Sequence, residues 1–314
     1  RAFYTEPFAE YIEKLSKISD FESVLPMNTG AEAVETAIKA ARRWGYFTKG
    51  IEKDCAEIIV AEGNFHGRTT TIVGFSSEEE YKKGFGPFAS GFIEAEYCKT
   101  NCHCSKVCEK SITSIKNAIN KNTCAVIVEP IQGEGGIITP QSGWLMQLRD
   151  LCNENNVLLI LDEIQSGLGR TGKLFAFEHE GIKPDGLILG KALGGGLLPV
   201  SAFLSSKEVM NHFNPGSHGS TFGGNPLAAR VASKALDLLF EDNLIENSKV
   251  MGLYLKTQLS EMNHNFIKEI RGKGLWIGVE LDSGVSAKKI CLSLMKEGIL
   301  AKETHETVIR FAPL

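Results

Sequence analysis

Two apolar runs that stop abruptly on polar groups constrain this chain more than any other feature. Val157-Leu-Leu-Ile-Leu ends at Asp162, with Gln165 three residues further on, and Gly186-Leu-Ile-Leu-Gly190 ends at Lys191. Unbroken runs of this kind describe strands buried on both faces, which is how parallel strands read inside a helix-covered sheet. In open α/β sheets the ligand crevice lies beyond the carboxyl ends of the strands. Asp162, Gln165 and Lys191 are therefore expected to share one crevice.

The neighbouring sequence supports such a sheet. Further buried strands are expected at Glu57–Ala61 and at 124–129, with another returning at 199–204. Helical patterns between them predict an α/β fold, a mainly parallel sheet with helices on both faces. Residues 1–23 read as an amphipathic helix carrying Phe8, Tyr11, Ile12, Leu15 and Ile18 on one face. From residue 243 the pattern changes to a helix to about 262, strands at 266–271 and 275–281, a helix at 287–297, and strands at Ile299 and Val308. The 314 residues thus divide into a large domain, 1–242, and a smaller C-terminal α+β domain, 243–314.

Charge narrows the function classes. A formal net charge of -4 argues against non-specific nucleic-acid binding. No apolar run approaches the roughly 18 residues of a membrane span, and no signal segment opens the chain, so the expected location is the cytoplasm, or the mitochondrial matrix in a eukaryote.

Several short stretches carry chemistry. Asn28-Thr-Gly30 before a helical pattern from Ala31 presents free backbone N–H groups and the positive end of a helix dipole, a seat for phosphate; Thr29 also reads as a plain N-cap. Phe65 and Arg68, just past a strand, either stack on and clamp a ligand or serve as loop packing and a solvated charge. Burial lowers a lysine's pKa and makes it a nucleophile able to form a Schiff base, the reading given to Lys191. A carboxylate about 4 Å from a cationic ring nitrogen, at an effective dielectric of about 20, contributes roughly 4 kcal/mol. Asp162 therefore suits pyridoxal phosphate better than nicotinamide; a helix cap or salt bridge is its plainer role. Gly169-Arg-Thr-Gly-Lys173 lacks P-loop spacing, and no G-x-G-x-x-G or H-E-x-x-H is present. Cys98, Cys102, Cys104 and Cys108, with His103 among them, form a candidate zinc or iron–sulfur site, against reduced cysteines or a local disulfide.

Together these stretches resemble the class III, fold-type I, pyridoxal-phosphate-dependent aminotransferases, and among them the ornithine aminotransferases. The resemblance is carried by residues 26–39, 63–69, 128–134, 161–172, 189–195, 218–226 and 308–313, in order and across the chain. It implies a fold-type I architecture and a homodimer with shared active sites. Lys191 becomes the lysine that joins the cofactor and later shuttles a proton, and Asp162 the partner of the pyridine nitrogen. The resemblance also places Gln165 on the ring oxygen, Phe65 on the ring face, Glu129 in the ring-side network, and the Gly30 and Ala31 amides on the phosphate. Ser220 and Thr221 reach that phosphate from the other subunit. Arg310 resembles a carboxylate clamp masked by Glu134, and Arg68 lies on the amino-donor side.

The implied reaction moves the δ-amino group of ornithine to 2-oxoglutarate. The alternatives are acetylornithine or another ω-amino acid as donor, or an idle homologue with a cysteine-based metal site. Gly135 stands where ornithine aminotransferases often carry alanine, a feature shared with acetylornithine relatives. Relative to the family, a segment before Arg1 that supplies a donor-selecting tyrosine, and a closing helix after Leu314, are expected to be missing.

Overall fold

The computed structural model describes residues 5–99 and 108–313. Helix α1 (Glu6–Ser19) buries Tyr11 and Leu15 and ends at Asp20, whose left-handed backbone (φ 56) turns the chain into strand β1 (Ser23–Met27). The expected helix to residue 23 is thus four residues shorter. Helix α2 (Gly30–Trp44) follows and runs on as a π-turn at Gly45–Lys49. It presents Ala33, Val34, Ala37, Ile38, Ala40 and Ala41 to the sheet, small side chains that let the helix lie close. Strand β2 (Glu57–Ala61) is where the sequence placed it. Two short helices, α3 (Thr70–Gly74) and α4 (Glu79–Lys82), and edge strand β3 (Phe92–Ala95) complete this half.

The second half runs through α5 (Glu109–Ala118), β4 (Thr123–Val128), α6 (Trp144–Glu154), β5 (Leu158–Asp162), β6 (Gly186–Leu189), β7 (Ser201–Ser205), α7 (Lys207–Met210) and α8 (Pro226–Glu241). The seven strands lie in the order β1-β7-β6-β5-β4-β2-β3. Pairing is parallel from β6 through β5, β4 and β2 to β3, while β7 runs antiparallel to both its neighbours. Alternate strand residues enter separate cores: Ile59, Val126, Leu159, Leu161 and Leu187 one, and Ile58, Ala125, Ile127, Ile160 and Ile188 the other. A sheet buried on both faces is what continuous apolar runs require.

Helix α9 (Leu244–Glu261), strands β8 (Ile267–Lys273) and β9 (Trp276–Leu281), helix α10 (Ala287–Lys296), and strands β10 (Lys302–Thr304) and β11 (Val308–Phe311) form the remainder. Their antiparallel sheet runs β10-β11-β9-β8 over a small core of Ile277, Val279, Leu281, Ala287, Cys291 and Ile309. The strand expected at Ile299 does not form there. Gly298 (φ 82) turns the chain out of α10, Ile299 and Leu300 stay in solvent, and pairing begins at Lys302.

Candidate active site

Four adjacent parallel strands aim their carboxyl ends at one crevice. Strand β2 leads to Phe65 and His66, β4 to Glu129, β5 ends on Asp162, and Lys191 follows β6. A cavity of about 160 Å³ is lined by these five residues together with Gly30, Ala31, Gly67, Ile164 and Gln165. The expected convergence of acid, amide and amine therefore occurs, with the first residues of α2 as one wall.

Asp162 is buried and fully engaged. Its Oδ2 lies 2.7 Å from His66 Nδ1, and its Oδ1 accepts from the Ile164 amide at 3.0 Å. Burial pulls the His66 pKa down, but the hydrogen bond to Asp162 and the charges of Asp162 and Glu129 outweigh it, and the net shift is upward. His66 Nε2 is buried without a protein partner among the described residues. Glu129 accepts from the Phe65 amide at 2.9 Å and the Gly133 amide at 3.1 Å; burial, opposed by His66, raises its pKa to about 7. Burial also lowers the Lys191 pKa, against the pull of Asp162, Glu129 and Glu134, which enlarges its nucleophilic, neutral fraction. Lys191 sits at φ 45, a left-handed backbone that costs a residue with a side chain about 1–2 kcal/mol.

The α2 terminus is closed by a reciprocal cap. Thr29 Oγ1 accepts from the Glu32 amide at 3.3 Å, and Glu32 Oε2 accepts from the Thr29 amide at 2.7 Å. The phosphate seat and the plain cap are thus compatible readings, since Gly30 and Ala31 precede the amide that the cap uses and line the cavity. Close packing holds the other wall. A Cβ on Gly133 would fall 2.8 Å from both Gln165 Nε2 and Trp276 Cζ2.

At the rim, Arg310 Nη1 donates to Glu134 Oε1 at 2.8 Å. Arg310 and Lys302 hold the Glu134 carboxyl below its ordinary pKa despite partial burial. Arg68 is exposed, its guanidinium 4.3 Å above the Tyr81 ring and 5.7 Å from that of Phe65. Neither Ser220 nor Thr221 lines the cavity of its own chain. Ser220 Oγ accepts from Asn28 Nδ2 at 2.9 Å beside the start of α2, and Thr221 is exposed. A larger recess of about 550 Å³ opens at the opposite ends of the strands, but there Arg149 is paired with Asp185 at 2.7 Å.

The family model for class-III aminotransferases matches residues 1–314. The chain belongs to the class-III aminotransferases. Ornithine aminotransferase 2 of Staphylococcus saprophyticus is 53% identical over 313 residues, covering all of this chain and 76% of that protein. The crystal structure of the ornithine aminotransferase of Toxoplasma gondii superposes with a TM-score of 0.94 at 40% identity, over all of this chain and 73% of that one. The acetylornithine aminotransferase of Elizabethkingia anophelis superposes at 0.85 with 44% identity, over all of this chain and 75% of that one.

Class-III aminotransferases depend on pyridoxal phosphate, and the crevice fits that group. A buried carboxylate backed by a histidine suits a protonated ring nitrogen, Phe65 offers a ring face, and the α2 amides offer a phosphate seat. Sequence reasoning missed His66. A lone histidine in a loop has no period, and its partner Asp162 lies 96 positions away, two strands across the sheet.

The cysteine quartet is only partly visible, because Cys102 and Cys104 lie outside the described residues. Cys98 and Cys108 are both buried, and Cys98 Sγ accepts from the Gln141 amide at 3.4 Å; burial pushes the Cys98 thiol up to about 12. Among the described residues no group of three or more His, Cys, Asp or Glu side chains has a metal-binding arrangement. No helix among them is long and apolar enough to cross a membrane.

Proposed function

We propose that this class-III aminotransferase transfers the δ-amino group of L-ornithine to 2-oxoglutarate, giving glutamate 5-semialdehyde, which cyclises to pyrroline-5-carboxylate, and glutamate. The observation that carries this reading is the Glu134–Arg310 pair beside the lysine crevice. One pocket must take a donor that presents an amine at its far end, then an acceptor with a second carboxylate. A cation that is alternately masked and freed meets both demands, because a free arginine binds a carboxylate in two-point fashion.

Bound pyridoxal phosphate supplies an aldehyde to take up the amino group and a pyridine ring to draw electrons from the neighbouring carbon. Asp162 would hold a proton at the ring nitrogen, and His66 keeps the Asp162 carboxylate aimed. Gln165 would orient the ring by its oxygen, and Phe65 would cover one face. The Gly30 and Ala31 amides would hold the phosphate, joined in a homodimer by Ser220 and Thr221 of the second copy. Lys191, its pKa lowered by burial, would hold the group at its aldehyde and carry the proton taken from the donor carbon. Arg68 steers the donor end. Residues 1–242 act as the cofactor-holding domain and 243–314 as the domain that brings Arg310.

The acetylornithine reading is favoured by one observation. Gly135 is packed so that a Cβ would lie 3.1 Å from Gln132 Oε1 and 3.2 Å from the Gly63 carbonyl oxygen. Steady-state assays with ornithine, acetylornithine and 4-aminobutyrate decide between donors, with ornithine expected to give the highest kcat/KM. No turnover of ornithine would refute the reading. The burial of the first and last cysteines of the quartet, both free, keeps Cys98, Cys102, Cys104 and Cys108 as a candidate zinc or iron–sulfur site. Metal analysis of protein purified without chelator tests it, and only trace metal would end it.

A further inference from the structure

Glu134 is bracketed by two cations. Its Oε1 lies 2.8 Å from Arg310 Nη1, and its Oε2 lies 3.9 Å from Lys302 Nζ. Among the described residues these are its two ion-pair partners. Lys302 and Arg310 face each other directly across β10 and β11. Like charges at opposed positions of an antiparallel pair repel, and the Glu134 carboxylate between them offsets that repulsion. The two cations differ in exposure: the Lys302 side chain is 69% exposed and that of Arg310 10%.

The backbone around Glu134 is fixed to the small sheet. Thr304 Oγ1 donates to the Glu134 carbonyl at 2.6 Å, and Arg271 Nε donates to the Gly136 carbonyl at 2.9 Å. A change of partner by Glu134 must therefore come from rotation of its own side chain. When a substrate carboxylate takes Arg310, two anions stand beside two cations, and the displaced carboxylate needs the second one.

We propose that Lys302 is the positioning residue that holds Glu134 away from Arg310 when a dicarboxylic oxo acid binds. Glu134 passes from Arg310 to Lys302, and Arg310 takes the distal carboxylate of the acceptor. Lys302 thereby sets how readily the clamp opens for the acceptor while leaving the amino donor untouched. This rests on the transamination reading above and adds to it a residue outside the crevice.

The test is Lys302→Met in the holoenzyme, with each half-reaction measured separately and glutarate used as an unreactive dicarboxylate for direct binding. An exposed ion pair is modest in strength, so KM for 2-oxoglutarate and Kd for glutarate are expected to rise about threefold to fivefold. The rate and KM of the ornithine half-reaction stay level, and Lys302→Arg restores the acceptor values. In a Glu134→Gln background Lys302→Met adds nothing, because Lys302 acts through Glu134. Equal changes in both half-reactions, no change in either, or an undiminished effect in Glu134→Gln would overturn the role. If the unsubstituted enzyme transaminates no dicarboxylic oxo acid, the role falls together with the functional reading; if it does and Lys302→Met matches it, the role alone falls.

Discussion

On the transamination reading, the ring chemistry turns on the hydrogen bond between His66 and Asp162. Asp162 has one oxygen held by the Ile164 amide and the other by His66, so its orientation is set by the protein. A hydrogen bond to a charged group contributes about 1.5–3 kcal/mol, so His66→Phe should weaken cofactor binding and slow the donor half-reaction roughly tenfold to a hundredfold. Titration with pyridoxal phosphate and single-turnover absorbance read the two effects. Glu163 offers a separate check on buried charge. It accepts from the Ala176 and Phe177 amides, and burial raises its pKa to about 8. Between its ordinary 4.5 and about 8 the folded chain keeps a proton that the unfolded chain has lost. Stability should therefore fall as pH rises through that window, with Glu129 adding to the fall between 4.5 and about 7. Thermal midpoints from pH 5 to 8 check this, and Glu163→Gln should remove its share of the slope. At this scale Asp162, Gln165 and Lys191 were legible because each terminates or follows an apolar run. His66 and Glu163 were not, since their roles depend on contacts that no local pattern announces.

Among the elements, α2 joins fold to site. Its reciprocal cap spends the Glu32 amide and carboxylate on Thr29, and the same carboxylate accepts from the Asn28 amide at 3.1 Å. Thr29→Ala should cost about 1 kcal/mol of stability and loosen the seat of Gly30 and Ala31, raising Kd for pyridoxal phosphate. Urea unfolding of the apoenzyme and cofactor titration measure the two consequences. The buried strands were readable because both faces are covered and their central residues form apolar runs. Strand β3 carries Glu94 at the sheet edge and lacks that signal. Helix α6 begins at Gly143 in a left-handed turn (φ 86), without the Ser, Thr, Asp or Asn cap by which a helix start is usually recognised. Near Ile299 the apolar residues pointed to a strand, but Gly298 turns the chain and leaves them in water.

Across the whole molecule, the large sheet carries the residues that line the crevice, and the small sheet brings Arg310 to Glu134 through β11. Sequence order alone does not supply this juxtaposition, because Glu134 and Arg310 are 176 positions apart. Exposed Leu197, Phe222 and Leu227 flank the glycine-rich loops near the crevice and fit burial against a second copy. Sedimentation should give a dimer. Chains carrying Lys191→Ala and Thr221→Val, each poor alone, should regain activity when co-expressed, since a mixed dimer assembles one intact shared site; no recovery would argue against sharing. The central claim is that Lys191 and Asp162 hold pyridoxal phosphate for amino transfer, and the visible spectrum tests it most directly. Pyridoxal phosphate added to the chain should produce a yellow band that ornithine bleaches and 2-oxoglutarate restores, and Lys191→Ala should abolish it. A band that ornithine leaves unchanged, or one that survives Lys191→Ala unaltered, would contradict the account.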